Sequence, residues 1–110
     1  MPFTHTQFPD LVVFEPKVFG DDRGYFFESY NKQMFASKGF DHDWVQDNQS
    51  SSVYGVIRGL HFQKGEHAQA KLVRCLRGAI LDVVVDLRKN SPTFKKVFSI
   101  ELTAEKKNTL

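Results

Sequence analysis

The chain alternates short apolar runs with turn residues, and few runs are long enough for a helix. Residues 11–15, Leu-Val-Val-Phe-Glu, read as a first strand stopped by Pro16. Gly20-Asp21-Asp22-Arg23-Gly24 is a turn by its glycines and aspartates. Residues 25–30 form an aromatic strand with Glu28 in its middle. Asn31 can cap a short helix that runs to about Lys38 and closes at Gly39, with Met34 and Phe35 on its buried side.

Residues 44–52 are polar but extended in character, and residues 53–63 read as a strand pair or a bent strand punctuated by Gly55 and Gly59. Residues 71–76 and 79–87 are two strands expected to form a tight hairpin across Arg77-Gly78. A turn at residues 90–93 precedes a last strand at 97–102. About seven short strands and one short helix predict an all-β sandwich or barrel. The pattern reads as most of such a fold, a single domain over residues 1–110 with C-terminal strands missing or incomplete.

Composition narrows the class. Hydrophobic residues make up 41% and charged residues 25%, an ordinary globular balance, and eleven phenylalanines favour a β-rich core or a ring-walled cleft. A net charge of +2, with no run of like charges, gives no ground for a nucleic-acid partner. Cys75 is the only cysteine, so no intrachain disulfide is possible; in its apolar run it reads as a small buried hydrophobe. No apolar stretch is long enough to cross a bilayer, and the N-terminal residues lack the regions of a signal peptide. These features lead to the expectation of a cytoplasmic protein with no membrane partner.

The chemistry concentrates in residues 55–63, Gly-Val-Ile-Arg-Gly-Leu-His-Phe-Gln. Arg58 is a fixed cation with a planar donor fork suited to phosphate or carboxylate. His61 is a side chain that exchanges protons near neutrality. The alternative is a core histidine satisfied by hydrogen bonds, beside a surface arginine. Strict strand alternation would put Arg58 and His61 on opposite faces. A shared site therefore predicts irregular backbone at Gly59. Asp82 and Asp86 share one strand face with Val84 between them, either as surface carboxylates or with one buried near the site.

Five runs in order then resemble the dTDP-4-dehydrorhamnose 3,5-epimerase family. They are Asp22-Arg23-Gly24-Tyr25-Phe26-Phe27-Glu28, Gln46-Asp47-Asn48-Gln49-Ser50-Ser51-Ser52, Arg58-Gly59-Leu60-His61-Phe62-Gln63, Ala68-Gln69-Ala70-Lys71-Leu72-Val73 and Asp82-Val83-Val84-Val85-Asp86-Leu87-Arg88. Each alone is a weak signal; five at family spacing are specific. The resemblance implies a cupin-type jelly roll that works as a homodimer. It implies epimerisation of dTDP-4-dehydro-6-deoxy-D-glucose at C3 and C5, towards dTDP-L-rhamnose.

By the same resemblance His61 is the general base, and Lys71 and Arg58 bind substrate near the sugar carbonyl and the diphosphate. Gln46, Asp47 and Asn48 line the nucleotide-sugar cleft. Arg23 and Glu28, with Phe26 nearby, hold the thymidine end from the neighbouring subunit, and Arg23, like Arg58, supplies the fixed positive charge that the diphosphate needs. The scheme needs no cofactor and no metal. Taken singly, these residues have plainer roles: Lys71 as a strand-edge charge, Arg23 as a solvated turn residue, residues 46–48 as turn formers, Phe26 as core. The family also carries a Pro-x-Gly-x-Ala-His-Gly-Phe segment, an acid tyrosine and a carboxylate that orients the histidine, none of which can be assigned within residues 1–110. A base without those partners implies weak activity or none, since such groups act as a unit.

Three other functions fit parts of the pattern. A metal-dependent cupin would need a His-x-His pair, but Gln63 follows His61 at that spacing and His67 lies farther on. A sugar-nucleotide-binding sandwich without catalysis would use the same cationic residues. A related enzyme could invert one centre only, or isomerise the ketone between C3 and C4.

Overall fold

The computed structural model describes residues 2–110. Its regular structure is six strands in three two-stranded antiparallel sheets, one short α-helix and one 3-10 turn. Two compact units are distinguishable: the chain up to Ser29 together with Lys71–Leu110, and Tyr30–Ala70.

In the first unit, β1 (Phe3–His5) pairs with β2 (Val12–Phe14), and β3 (Val18–Asp21) pairs with β4 (Gly24–Phe27). The predicted first strand and the turn around Asp22-Arg23 are both present. The strand after that turn stops at Phe27, so Glu28 lies just beyond its end. The long pair is β5 (Ala79–Val85) with β6 (Val97–Thr103), in register from Ala79 opposite Thr103 to Val85 opposite Val97.

That pairing corrects the expected hairpin across Arg77-Gly78. Gly78 adopts φ +77°, and its carbonyl accepts from Ala104 N–H at 3.0 Å, so it opens the β5–β6 ladder rather than turning the chain back on residues 71–76. Residues 71–76 form no full strand. Val73 instead exchanges backbone bonds with Leu110 at 2.9 and 3.0 Å, and Thr109 exchanges two with Phe14 at 2.8 and 2.9 Å. Residues 108–110 thus lie between β2 and Val73-Arg74, a pairing the sequence pattern left unassigned.

The core of this unit is Val13, Cys75, Leu102 and Leu110, with Leu11, Val73, Val84, Phe98 and Ile100 packed against it. Leu102 is fully buried, which fits the inward face of a strand with period two. Cys75 is buried there as expected. Asn108, also buried, bonds the end of β6: its Oδ1 accepts from Thr103 N–H at 3.2 Å and its Nδ2 donates to the Glu101 carbonyl at 3.1 Å.

Val84 turns towards the core, and this carries Asp82 and Asp86 inward with it. Asp86 is buried and Asp82 is half-buried, so the surface-carboxylate reading is wrong for the pair. Asp86 organises the connection between β5 and β6. It accepts from Thr93 Oγ1 at 2.6 Å, from Ser91 Oγ at 2.6 Å and from Arg88 Nε at 3.0 Å. Arg88 reaches on to Asp10 Oδ2 and the Pro9 carbonyl, both at 3.1 Å, tying this connection to the β1–β2 turn.

In the second unit the helix forms where predicted. It spans Lys32–Ala36, Asn31 Oδ1 accepts from Met34 N–H at 3.0 Å, and Gly39 follows with φ +91°. Phe35 is 3% exposed, with the Tyr30 ring 4.8 Å from its own between centroids. Met34, expected to be buried, is 36% exposed. A helix of five residues presents one buried side chain, and Phe35 takes that place. Beyond residue 40 the chain is exposed as far as Ala70 and contains no strand. The expected strand pair at 53–63 is therefore absent; Gly55 and Gly59 take φ +88° and +128°, outside the extended region.

Candidate functional site

The sequence-predicted site residues fall in both units. In the second, Gln46, Asp47, Asn48, Arg58 and His61 all sit on exposed, non-strand backbone. Gln46 Nε2 donates to Asn48 Oδ1 at 3.3 Å, which orders two amides of the Gln-Asp-Asn run. Arg58 Nε donates to Ser52 Oγ at 3.0 Å and its Nη2 to the Ser51 carbonyl at 3.5 Å. The two serines close the family-like run at 46–52, so this contact joins two motifs that are separate in sequence. Their role as an anchor for the guanidinium was not foreseen; a hydroxyl six residues before an arginine gives little warning.

Gly59 lies between Arg58 and His61 with φ +128°. The irregularity predicted there is present, and the alternation that would oppose the two side chains does not apply to this backbone. His61 is exposed, with Nδ1 3.8 Å from where a Cβ on Gly59 would lie. An exposed imidazole on irregular backbone is open to a ligand, unlike a core histidine.

In the first unit, β3 and β4 form a hairpin with chemically distinct faces. Tyr25 and Phe27 share one face, their rings stacked at 6.0 Å. Phe26 occupies the other, with Phe19 as its cross-strand partner. Phe26 is 71% exposed and Phe19 54%, which overturns a core role for Phe26. A concavity of about 400 Å³ runs along the hairpin, lined by residues that include Phe19, Asp21, Arg23, Tyr25 and Phe26. Glu28 is exposed just after the strand.

Arg23 stands at the hairpin tip, 90% exposed, and ion-paired to Asp21 with Nη2 2.7 Å from Oδ2. The guanidinium holds the Asp21 carboxyl below the ordinary carboxylate range, and the carboxylate raises Arg23 in turn. Lys71 is exposed where the chain re-enters the first unit. Its charge acts on Asp82: burial pushes that carboxyl up, and Lys71 draws it partly back.

Among the described residues no group of three or more His, Cys, Asp or Glu side chains is placed to hold a metal ion. No helix among them is long and apolar enough to cross a membrane. The second unit offers an exposed imidazole three residues after an anchored cation, and the first an aromatic hairpin with a second cation at its tip.

Known proteins carry the same pattern. The dTDP-4-dehydrorhamnose 3,5-epimerase family matches residues 5–110. The dTDP-4-dehydrorhamnose 3,5-epimerase of Salmonella typhimurium is 56% identical over 106 residues, which is 96% of this chain and 58% of the relative. A crystal structure of the Bacillus anthracis enzyme with TDP and PPi bound superposes with a TM-score of 0.92 at 51% identity, over 97% of this chain and 62% of that one. A Legionella pneumophila structure in complex with dTDP-4-keto-L-rhamnose superposes at 0.90 and 42% identity, over 97% and 57%. These neighbours are cupin-type β-sandwiches, so the six strands here are part of that jelly roll. The chain spans 58–61% of the length of the four curated relatives it matches at 50% identity or more, from Salmonella, Shigella flexneri, Escherichia coli and Pseudomonas aeruginosa. It belongs to the dTDP-4-dehydrorhamnose 3,5-epimerase family.

Proposed function

We propose that the protein is an isomerase of nucleotide-sugar metabolism. It epimerises dTDP-4-dehydro-6-deoxy-D-glucose at C3 and C5 to dTDP-4-dehydro-L-rhamnose, in the route to dTDP-L-rhamnose. The observation that carries this reading is the placement of Arg58 and His61 around a glycine at φ +128° on exposed, non-strand backbone.

The C4 ketone acidifies the hydrogens on both neighbouring carbons, because removing either gives an enolate. One base beside the ring takes the proton from each position in turn, and each centre inverts when solvent or an acid on the opposite ring face returns a proton to the enolate carbon. His61 takes that role, since imidazole is the side chain suited to exchanging protons near neutrality. The Lys71 ammonium stabilises the enolate oxygen. Arg58, held by Ser51 and Ser52, and Arg23 bind the diphosphate by charge-assisted bonds. Gln46, Asp47 and Asn48 line the cleft and bond sugar and phosphate oxygens. Phe26 packs on the thymine face, with Glu28 beside it. No step uses a redox cofactor or a metal.

The residues belong to one jelly-roll domain, and the active unit is a homodimer in the cytoplasm. Support for assembly comes from the hairpin: Phe19 and Phe26 expose a paired aromatic face that a second subunit could cover. Arg23, Phe26 and Glu28 then serve the neighbour's cleft. A lone cysteine suits a reducing compartment.

Solvent-deuterium exchange into the 4-ketosugar tests the base directly, because exchange needs abstraction but not inversion. Uptake at C3 or C5 that His61→Ala abolishes is the expected result. Tight dTDP binding with no exchange would make the protein a binding module. NMR of the product sugar checks the stereochemistry, and inversion at one carbon alone would replace the 3,5-assignment.

A further inference from the structure

We propose that Asp21 is a positioning residue for the nucleotide diphosphate: it fixes the Arg23 guanidinium so that its outer donor edge faces the ligand. This rests on the reading of Arg23 given above and adds a residue to it.

The geometry is specific. Asp21 Oδ2 accepts from Arg23 Nη2 at 2.7 Å and from Nε at 3.2 Å, while Oδ1 accepts from the Arg23 backbone N–H at 2.9 Å. Oδ1 also lies 3.4 Å from Nε. One carboxylate thus holds both the backbone and the side chain of a residue two positions on. Asp21 is the last residue of β3 and pairs with Gly24 across the turn, so its own backbone is fixed by the hairpin.

A guanidinium carries five donors in a rigid plane. Asp21 engages Nε–H and one Nη2 hydrogen. Both Nη1 hydrogens and the other Nη2 hydrogen remain, and one from each nitrogen forms a second fork on an edge of the plane that Asp21 does not occupy. That fork matches two phosphate oxygens. Arg23 is 90% exposed; without Asp21 its long side chain would sample many rotamers, and a ligand would have to select one. The surrounding concavity, with Phe19 and Phe26 on one face, supplies a place for the base attached to that diphosphate.

Two effects oppose each other, which makes the proposal testable. Asp21 orders the arginine, but it also subtracts a positive charge that would attract the diphosphate. Asp22 serves as the control: it lies in the same turn and makes no ion pair with Arg23 among the described residues. Asp21→Asn keeps an oxygen for the Arg23 N–H while removing the charged grip.

The test is calorimetric titration of the full chain with dTDP and with thymidine. Asp21→Asn is expected to weaken dTDP binding roughly fivefold, with thymidine affinity unchanged. Asp22→Asn is expected to leave both unchanged. In an Arg23→Ala background, Asp21→Asn should add nothing. Unchanged or tighter dTDP binding by Asp21→Asn would overturn the proposal, as would an equal loss for thymidine. Arg23→Ala with wild-type dTDP affinity, or a wild type that binds no dTDP, would remove the reading of Arg23 itself and the proposal with it.

Discussion

Lys107 Nζ stands 4.1 Å from the centroid of the Tyr25 ring, and this contact ties the β3–β4 hairpin to the turn after β6. Arg74 makes a matching contact with Phe27, its guanidinium carbon 5.3 Å from the ring. Two cations therefore cover the Tyr25/Phe27 face of β4, and this leaves Phe26 and Phe19 outward. The face that would meet the nucleotide is selected by what occupies the other one. Lys107→Met is expected to cost about 0.5–1 kcal/mol, the range for an exposed cation–π pair. A double-mutant cycle with Tyr25→Leu, followed by thermal unfolding, should return a coupling of that size. Additive single effects would mean that the contact contributes nothing.

The connection between β5 and β6 depends on a buried charge. Asp86 accepts from Thr93, Ser91 and Arg88, and these donors hold its carboxyl far below the usual carboxylate range. A folded-state pKa below the unfolded one stabilises the fold above the unfolded value. That stability is lost as pH falls through the folded value. Asp86→Asn should therefore destabilise most at neutral pH, with the deficit shrinking under acid conditions below about pH 4. Thr93→Val removes one buried donor and is expected to cost about 1–3 kcal/mol at pH 7. Chemical denaturation across pH checks both, and a deficit independent of pH for Asp86→Asn would refute the assignment.

Gly59 sets the backbone between Arg58 and His61. At φ +128° an L-residue is strained whatever space surrounds it. A Cβ there would meet His61 Nδ1 only at 3.8 Å, an ordinary contact, so crowding is not the obstacle. Gly59→Ala should relieve its strain, about 1–3 kcal/mol, by moving the local backbone and with it the imidazole. Because residues 41–70 are exposed, the unfolding temperature should change little while deuterium exchange into the ketosugar falls at least about tenfold. Equal exchange in the variant would show that the glycine does not set the imidazole proposed as the base.

Local signals in the sequence translated directly into structure; nonlocal ones did not. Asn31 and Gly39 bracket a helix through bonds that span three or four residues, so their meaning is contained in a short window. The glycines at 55 and 59 marked bent backbone for the same reason. The partner of a strand is a different matter. Ala79 had a plausible neighbour in residues 71–76, yet pairs with Thr103, because the Gly78 carbonyl is taken by Ala104. The polar stretch Asn108-Thr109 gave no strand signal, but it is buried because Phe14 and Val73-Arg74 supply backbone partners on both sides. In the candidate site, residue types were legible from the motifs. The contacts that order them were not, since Asp21 and Ser52 bear on arginines through loop geometry rather than periodicity.

Asp82 gives the opposite pH signature to Asp86, and the contrast tests the inward face of β5. It is half-buried opposite Ile100, and burial raises its carboxyl pKa above the ordinary range, with Lys71 opposing the shift. For a carboxyl whose folded pKa exceeds the unfolded one, no penalty exists while it is protonated in both states. The penalty grows as pH rises from the unfolded value, about 3.9, through the folded one, and is constant above. Asp82→Asn should therefore raise the unfolding temperature at pH 7 and match the wild type near pH 3. Lys71→Met removes the favourable charge and should lower stability at pH 7, an effect that vanishes in the Asp82→Asn background. Thermal melts of the four proteins across pH decide the matter: if Asp82→Asn destabilises at neutral pH, the carboxylate is stabilised by partners rather than penalised by burial.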